Sequence, residues 1–309
     1  MNMPNFLVIG AQKAGTTSLN NYLAQHPMVY MSPIKEPDFF ALEGVIKGAD
    51  ASRGITTDLA SYQRLFETDG SFRAVGEVSP IYLYSPVAAA RIQHYLPQAK
   101  LVAILRDPVG RAYSAFLHNL RLGWEKNTDF LRALQAPELG SWLMYNAVER
   151  HEEGLHQKTP MPRHYIRRGF YFQQLKRYFD RFDHAQIKVC LYDDLRGDVN
   201  GLMADLFSFL EVDPAFIPDV SVRHNPARVP RNALWGRLFG MRSPIRRFAE
   251  PLHPLVSDGM KRALKRLYMR EPEQKRLPPE VRAELVPVFR EDILRLQDLI
   301  GRDLSRWLV

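Results

Sequence analysis

Apolar positions along this chain follow two alternating rhythms: short unbroken runs, and longer stripes at helical spacing. The run at 5–9 (NFLVI) predicts a buried strand, and TTSLNNYLAQHP after it predicts a helix that Pro27 stops. A short strand in MVYMS comes next. Then follow the strand RAVGEVS, a helix over PVAAARIQHYLP and the strand KLVAILR. That last strand leads into PVGRAYSAFLHNLRLG, where Pro108 suits a first helical turn. Later segments continue the pattern, with an amphipathic helix in FYFQQLKRYFDRF, a strand in IKVCLYDDL and a helix in GLMADLFSFLEV. The closing stretch PPEVRAELVPVFREDILRLQDLIGRDLSRWLV carries a helical apolar stripe. Strands alternating with helices predict an α/β fold with a central, mainly parallel sheet flanked by helices.

Composition narrows the setting. The chain has 309 residues, 46% hydrophobic and 25% charged, which is ordinary for a globular protein with a sizeable core. Its one cysteine, Cys190, excludes an internal disulfide and lies in the apolar run IKVCLY, where a small buried hydrophobe is expected. No run reaches the length of a membrane span, and FLVIG is too short for the apolar centre of a signal peptide. A soluble, cytoplasmic protein is the expectation.

The formal net charge of +8 and a pI near 9.5 favour acidic ligands without choosing among phosphates, sulfates, anionic glycans, nucleic acid or anionic lipid. Part of that charge is concentrated. From 241 to 270, eight arginines and lysines face only Glu250 and Asp258. This stretch is the candidate for peripheral contact with an anionic membrane, or it is a solvated lid.

Two stretches carry candidate chemistry. The first is GAQKAGTTSL, between a predicted strand and a predicted helix. Gly10 and Gly15 have the spacing of the phosphate-binding G-x-x-x-x-G-K-[ST] loop, but Thr16 stands where the lysine belongs and Lys13 comes early. Backbone N–H groups from Gly15 to Ser18 would enter a helix N-terminus, where unpaired donors and the helix dipole favour an anion. The purely structural alternative is a helix start capped by Thr16 or Thr17. The second stretch is LVAILRDPVGRAYSAF, whose strand delivers Arg106 to the carboxyl edge of the sheet, where ligands of open α/β sheets bind. Ser114, eight residues on, could share one phosphate with it; alone, Arg106 could equally be a salt-bridged strand end.

Together these stretches resemble the sulfotransferases that use 3′-phosphoadenosine-5′-phosphosulfate (PAPS), particularly the branch of heparan sulfate sulfotransferases and their bacterial relatives. The resemblance rests on FLVIGAQKAGTTSL, LRDPVGRAYS and KEPDFF, is close over residues 5–45 and 74–120, and returns in LIGRDLSRWL. It implies a P-loop-like three-layer fold forming one domain: a core with the cofactor site at 1–212, a loop or lid with the basic region at 213–270, and a C-terminal helix within 271–309. It implies PAPS as sulfuryl donor, with no metal required. The cofactor-binding residues would be Lys13, Ala14, Gly15, Thr16, Thr17 and Ser18 around the 5′-phosphate, with Arg106 and Ser114 on the 3′-phosphate. Arg228 and Arg231, in the loop RHNPARVPRN, would add phosphate contacts; a solvated basic loop is the alternative. Lys13 would stabilise charge on the bridging and leaving oxygens. Glu36, in KEPDFF, would take the proton of the acceptor; otherwise it caps a turn before Pro37. His118, four residues after Ser114 and so on the same helix face, is a second candidate base.

The chain also departs from the heparan sulfate members, which often carry a lysine after the glutamate matching Glu77; here Val78 stands there. The acceptor is therefore read only as a glycan or small molecule offering a hydroxyl or amine. Nucleic acid is not an expected partner, and the sequence carries no signal of oligomeric state. Trp124, Trp142 and Trp235 could stack on a sugar or an aromatic acceptor, or simply pack. HEEGLH at 151–156 imitates a zinc H-E-x-x-H, but its second histidine is one position late for one helix face, so no metal site is expected. Two other readings compete: a P-loop kinase of a small molecule, which calls for a lysine at position 16, and a non-enzymatic polyanion-binding protein, which leaves the paired phosphate motifs as coincidence.

Overall fold

The computed structural model describes residues 2–44, 56–122, 125, 127–135, 164–221, 229–230, 269–270 and 277–309. The chain begins with β1 (Phe6–Gly10), α1 (Thr16–Leu23), β2 (Val29–Met31), α2 (Phe39–Leu42), α3 (Leu59–Arg64) and β3 (Ala74–Val78). It continues through α4 (Ile81–Tyr84), α5 (Ala88–Tyr95), β4 (Lys100–Leu105), α6 (Pro108–Leu122) and α7 (Phe130–Gln135). Next come α8 (His164–Arg167), α9 (Tyr171–Phe179), β5 (Ile187–Leu191), α10 (Tyr192–Gly197) and α11 (Val199–Phe209). Two short strands, β6 (Val229–Pro230) and β7 (Met269–Arg270), pair antiparallel, and α12 (Pro279–Ile300) closes the chain.

The five long strands form one parallel sheet in the order β2-β3-β1-β4-β5. β1 is buried along its whole length and β4 everywhere but Lys100, as expected for strands covered by helices on both faces. That is why they read as unbroken apolar runs. From β1 the connections run to the β3 and β2 side, whereas β4 and β5 extend from its other edge. The switch point of the sheet therefore lies between β1 and β4, where open α/β sheets bind ligands beyond the carboxyl ends of their strands. The loops leaving these two strands carry Lys13 and Arg106.

Two boundaries differ from the hydrophobic pattern. Helix α1 ends at Leu23, before Pro27, because the chain turns through Ala24–His26, with Gln25 N–H donating to Tyr22 and His26 N–H to Leu23. Strand β5 stops at Leu191, and YDDL belongs to α10. There the Asp194 carboxylate accepts the Leu191 N–H at 2.9 Å and turns the chain out of the sheet. Pro108 does open α6, and α12 runs its 22 residues straight through Pro287.

Candidate active site

Aspartates close several helix starts in this protein. Asp58 caps α3 by accepting the Ser61 N–H, and Asp198 caps α11 by accepting the Gly201 N–H. Asp107 accepts from Val109 and Gly110 at the start of α6 and is tied to Arg282 at 2.6 Å. Asp292 reaches from α12 to accept the N–H groups of Tyr171 and Phe172 at the start of α9.

Helix α1, like α2, α4, α5 and α12, has no capping side chain at its N-cap. Its N-cap is Gly15 in the left-handed region (φ 103°), with no side chain capping the first turn. Neither Thr16 nor Thr17 acts as the cap. The N–H groups of Gly15, Thr16 and Thr17 bond to no other described residue, whereas those of Ser18 and Leu19 turn back onto the Gly15 carbonyl. Gly15 is required twice over: only glycine takes that φ without cost, and a Cβ would stand 2.7 Å from Leu195 and 3.2 Å from Tyr192 of α10.

Lys13, just before, also sits in the left-handed region (φ 69°), an arrangement costing on the order of 1–3 kcal/mol unless its surroundings impose it. The Arg106 guanidinium holds the loop by donating to the Lys13 carbonyl at 3.3 Å, and it lies over the Tyr192 ring at 4.7 Å. Arg168 grips the same loop by donating to the Gln12 side chain at 2.6 Å. The two cations at the switch point thus sit side by side, and no described carboxylate forms a salt bridge with Lys13 or Arg106. Burial, reinforced by Arg121 and Arg106 and opposed by Glu36, brings Lys13 down to about 8.

Glu36 joins this neighbourhood from the segment after β2. Its side chain is 45% exposed and pairs with Lys35, and its N–H donates to the Val78 carbonyl at the end of β3. It too has a positive φ (62°), as does Asp38 (58°), so the chain folds sharply on either side of Pro37.

His118 faces Lys13 from α6. The Arg121 guanidinium donates to its Nδ1 at 2.9 Å, which fixes the neutral ring with its hydrogen on Nε2. Burial, with the charges of Lys13 and Arg121, holds it down to about 3. Ser114 is half-buried two turns into α6. Ala14 is fully buried, and its N–H returns to Ala11.

Lys13, Glu36, Arg106 and His118 therefore converge at one sheet edge. Arg228 and Arg231 lie outside the described residues, as do Trp124, Trp142, Trp235, the HEEGLH stretch and most of 241–270. Sequence reasoning missed Arg121, which lies on α6 beside His118, and Arg168 and Tyr192, which reach the site from distant segments; none of the three matches a motif. The one available signal was the spacing of His118 and Arg121, a helical turn apart. Among the described residues there is no cluster of His, Cys, Asp and Glu able to hold a metal ion, and no helix is long and apolar enough to cross a membrane.

An uncapped helix start, two cations with no described carboxylate salt bridge and a carboxylate beside them thus meet at the switch point of the parallel sheet of an α/β protein, the place where such sheets bind ligands. Comparison with known proteins makes the class specific: residues 3–223 match the family described as Sulfotransferase domain, and the chain belongs to that family. A crystal structure of a sulfotransferase from Alicyclobacillus acidocaldarius is 30% identical, covers 99% of each chain and superposes with a TM-score of 0.69. The mouse bifunctional heparan sulfate N-deacetylase/N-sulfotransferase 4 is 26% identical over 228 residues, 73% of this chain and 24% of that protein. The membrane-associated sulfotransferase kil1 of Dictyostelium discoideum is 33% identical over 114 residues, 37% of this chain and 22% of that protein. The chain thus spans about a quarter of the length of these two curated relatives. Family membership bears out the P-loop-like architecture, and the loop with the early lysine lies within the matched residues.

Proposed function

We propose that this chain transfers the sulfuryl group of PAPS to a hydroxyl or amine of a glycan or small-molecule acceptor, with release of 3′,5′-adenosine bisphosphate. The observation that carries the reading is the convergence of the open α1 start with Lys13 and Arg106, cations that lack a described carboxylate partner, beside Glu36. These residues fit a ligand with a phosphate at each end. PAPS supplies an activated sulfuryl group bonded to a phosphate able to leave.

The N–H groups of Gly15, Thr16 and Thr17 bind the 5′-phosphate, and the hydroxyls of Thr16, Thr17 and Ser18 complete the cradle. Ala14 leaves room for the backbone. Arg106 and Ser114 hold the 3′-phosphate, with Arg228 and Arg231 as further contacts from the basic loop. Lys13 stabilises charge as it develops on the leaving oxygen, the kind of preorganised electrostatic assistance that dominates many group transfers. Glu36 accepts the proton of the attacking hydroxyl or amine. His118 suits that role less, because its Nδ1 lone pair already accepts from Arg121 and its Nε2 carries a hydrogen. It orients Arg121 and donates instead. Among the described residues, Lys13, Arg106 and Arg121 supply the positive charge, and the proposal involves no metal.

The acceptor is not assumed to be heparan sulfate, since Val78 replaces the second lysine of those members. The proposed setting is cytoplasmic, supported by a lone, buried cysteine. The 241–270 stretch is the segment proposed for any contact with an anionic membrane.

The test is transfer of radiolabelled sulfuryl from PAPS to a panel containing de-N-sulfated heparan sulfate, other glycans and small phenols and amines. Transfer to at least one acceptor is expected, with Lys13→Ala lowering it by about a hundredfold, within the range for losing one stabiliser of developing charge. Undiminished transfer by Lys13→Ala would remove the lysine from the mechanism.

A further inference from the structure

Glu77, next to last in β3, has its carboxylate fully buried and forms no salt bridge among the described residues. Three hydroxyls converge on it instead. Tyr82 donates to Oε1 at 2.6 Å, Tyr62 to Oε1 at 3.1 Å, and Ser79 to Oε2 at 2.7 Å. A hydroxyl that gives its proton to a carboxylate keeps its oxygen lone pairs for other donors. Two of the three use them on one segment: Ser79 Oγ accepts the Asp38 N–H at 3.1 Å, and Tyr82 Oη accepts the Phe40 N–H at 3.5 Å. A third bond joins the segment to the strand itself, from Glu36 N–H to the Val78 carbonyl at 3.0 Å. The segment so held is the turn around Pro37 with left-handed residues on either side, the turn that presents Glu36.

We propose that Glu77 is a positioning residue for Glu36: by collecting the hydroxyl protons of Ser79 and Tyr82, it turns both oxygens toward the backbone of residues 36–40 and sets the direction of the Glu36 carboxylate. This rests on the reading of Glu36 as proton acceptor. Among the described residues no hydrogen bond or salt bridge joins Glu77 to the α1 loop or to Arg106, so the proposal leaves the phosphate-binding edge in place. The array explains why a costly buried carboxylate stands where an apolar side chain would pack as well. An apolar residue would free Ser79 and Tyr82 to rotate, leaving the strained turn to its backbone bonds with Val78 and Thr56 and the Arg91 bond to the Phe40 carbonyl. Asp38, also buried, faces the same array. Burial, with the neighbouring charges of Glu36 and Glu77, holds Asp38 well above the usual carboxylate range, and burial lifts Glu77 to about 7 against the three hydroxyl bonds that lower it.

The test compares the full-length wild type with Glu77→Gln, Glu36→Gln and the double variant. Each is measured for binding of 3′,5′-adenosine bisphosphate, for amide hydrogen exchange, and for bisphosphate release from PAPS with the acceptor found in the panel, or with water. For Glu77→Gln the expected result is faster exchange confined to residues 36–42, bisphosphate affinity within about twofold of wild type, and release slowed at least tenfold with unchanged KM for PAPS. The double variant should be no slower than Glu36→Gln alone, since residues acting through one group do not add. Unchanged exchange at 36–42 would overturn the proposal, as would additive losses. A loss of protection throughout the sheet, with weakened bisphosphate binding, would make Glu77 an ordinary structural residue and overturn it too. Should the wild type fail to bind the bisphosphate at all, the PAPS reading falls; if it binds and Glu77→Gln behaves as wild type, only the role of Glu77 falls.

Discussion

Lys13 has the most to lose from a change in pH. Its folded value of about 8 lies below the ordinary 10.5, so the charged form is disfavoured in the free protein. An unfolded chain keeps that proton up to about 10.5, so between the two values folding stability gains as pH rises, while anion binding loses its cation. Affinity for 3′,5′-adenosine bisphosphate should therefore fall as pH is raised from 7 to 9. Lys13→Met should bind weakly with a flat profile over that interval, and calorimetric titration across it reads both. A second expectation separates the two candidate bases. Glu36→Gln should slow transfer by about a hundredfold or more with bisphosphate affinity unchanged, the range typical for losing a general base. His118→Gln, which keeps an acceptor for Arg121, should stay within about tenfold. Steady-state kinetics with the same acceptor would expose the reverse order and return the histidine to that role. Lys13, Glu36 and Arg106 were legible in the sequence because each sits in a motif of fixed spacing. Glu77 was legible only as a position. Its partners Tyr62, Ser79 and Tyr82 come from two helices and a loop, and only folding brings their hydroxyls to one carboxylate.

At the scale of elements, the left-handed start of α1 packed against α10 makes Gly15 an exacting position. Gly15→Ala would force an alanine to a φ near 103° and push a methyl against Leu195 and Tyr192. The expected cost is roughly 1–3 kcal/mol of stability for the backbone alone. Bisphosphate affinity should drop further than that loss explains, because the displaced turn no longer aims its N–H groups at one point. Thermal melts with and without ligand measure both effects, and an alanine variant that binds normally would contradict this account of the loop. The long elements were readable from hydrophobic rhythm: β1, β4, α6 and α12 each repeat the pattern often enough to show its period. Helices α2, α4 and α8, four residues each, span barely one turn and leave no period to read. The end of β5 is not legible in hydropathy for another reason. LYDDL is apolar enough to prolong a strand, and the bond from Leu191 N–H to Asp194 that ends it depends on geometry rather than hydropathy.

For the molecule as a whole, the parallel sheet brings the end of β1 and the end of β4 together, so loops 93 residues apart at Lys13 and Arg106 meet across a 3.3 Å bond. That meeting is the ground for proposing a two-phosphate ligand rather than a single phosphate. Thermal stabilisation of the full chain by 3′,5′-adenosine bisphosphate, run beside 5′-AMP and Mg·ATP, tests this most directly. A ligand at a hundredfold its Kd adds about 2.7 kcal/mol, which for a chain of this size raises Tm by several degrees on the general scaling of unfolding entropy with length. The account predicts that rise for the bisphosphate and little for 5′-AMP, which lacks the 3′-phosphate. Equal stabilisation by 5′-AMP, or stabilisation by Mg·ATP alone, would contradict it.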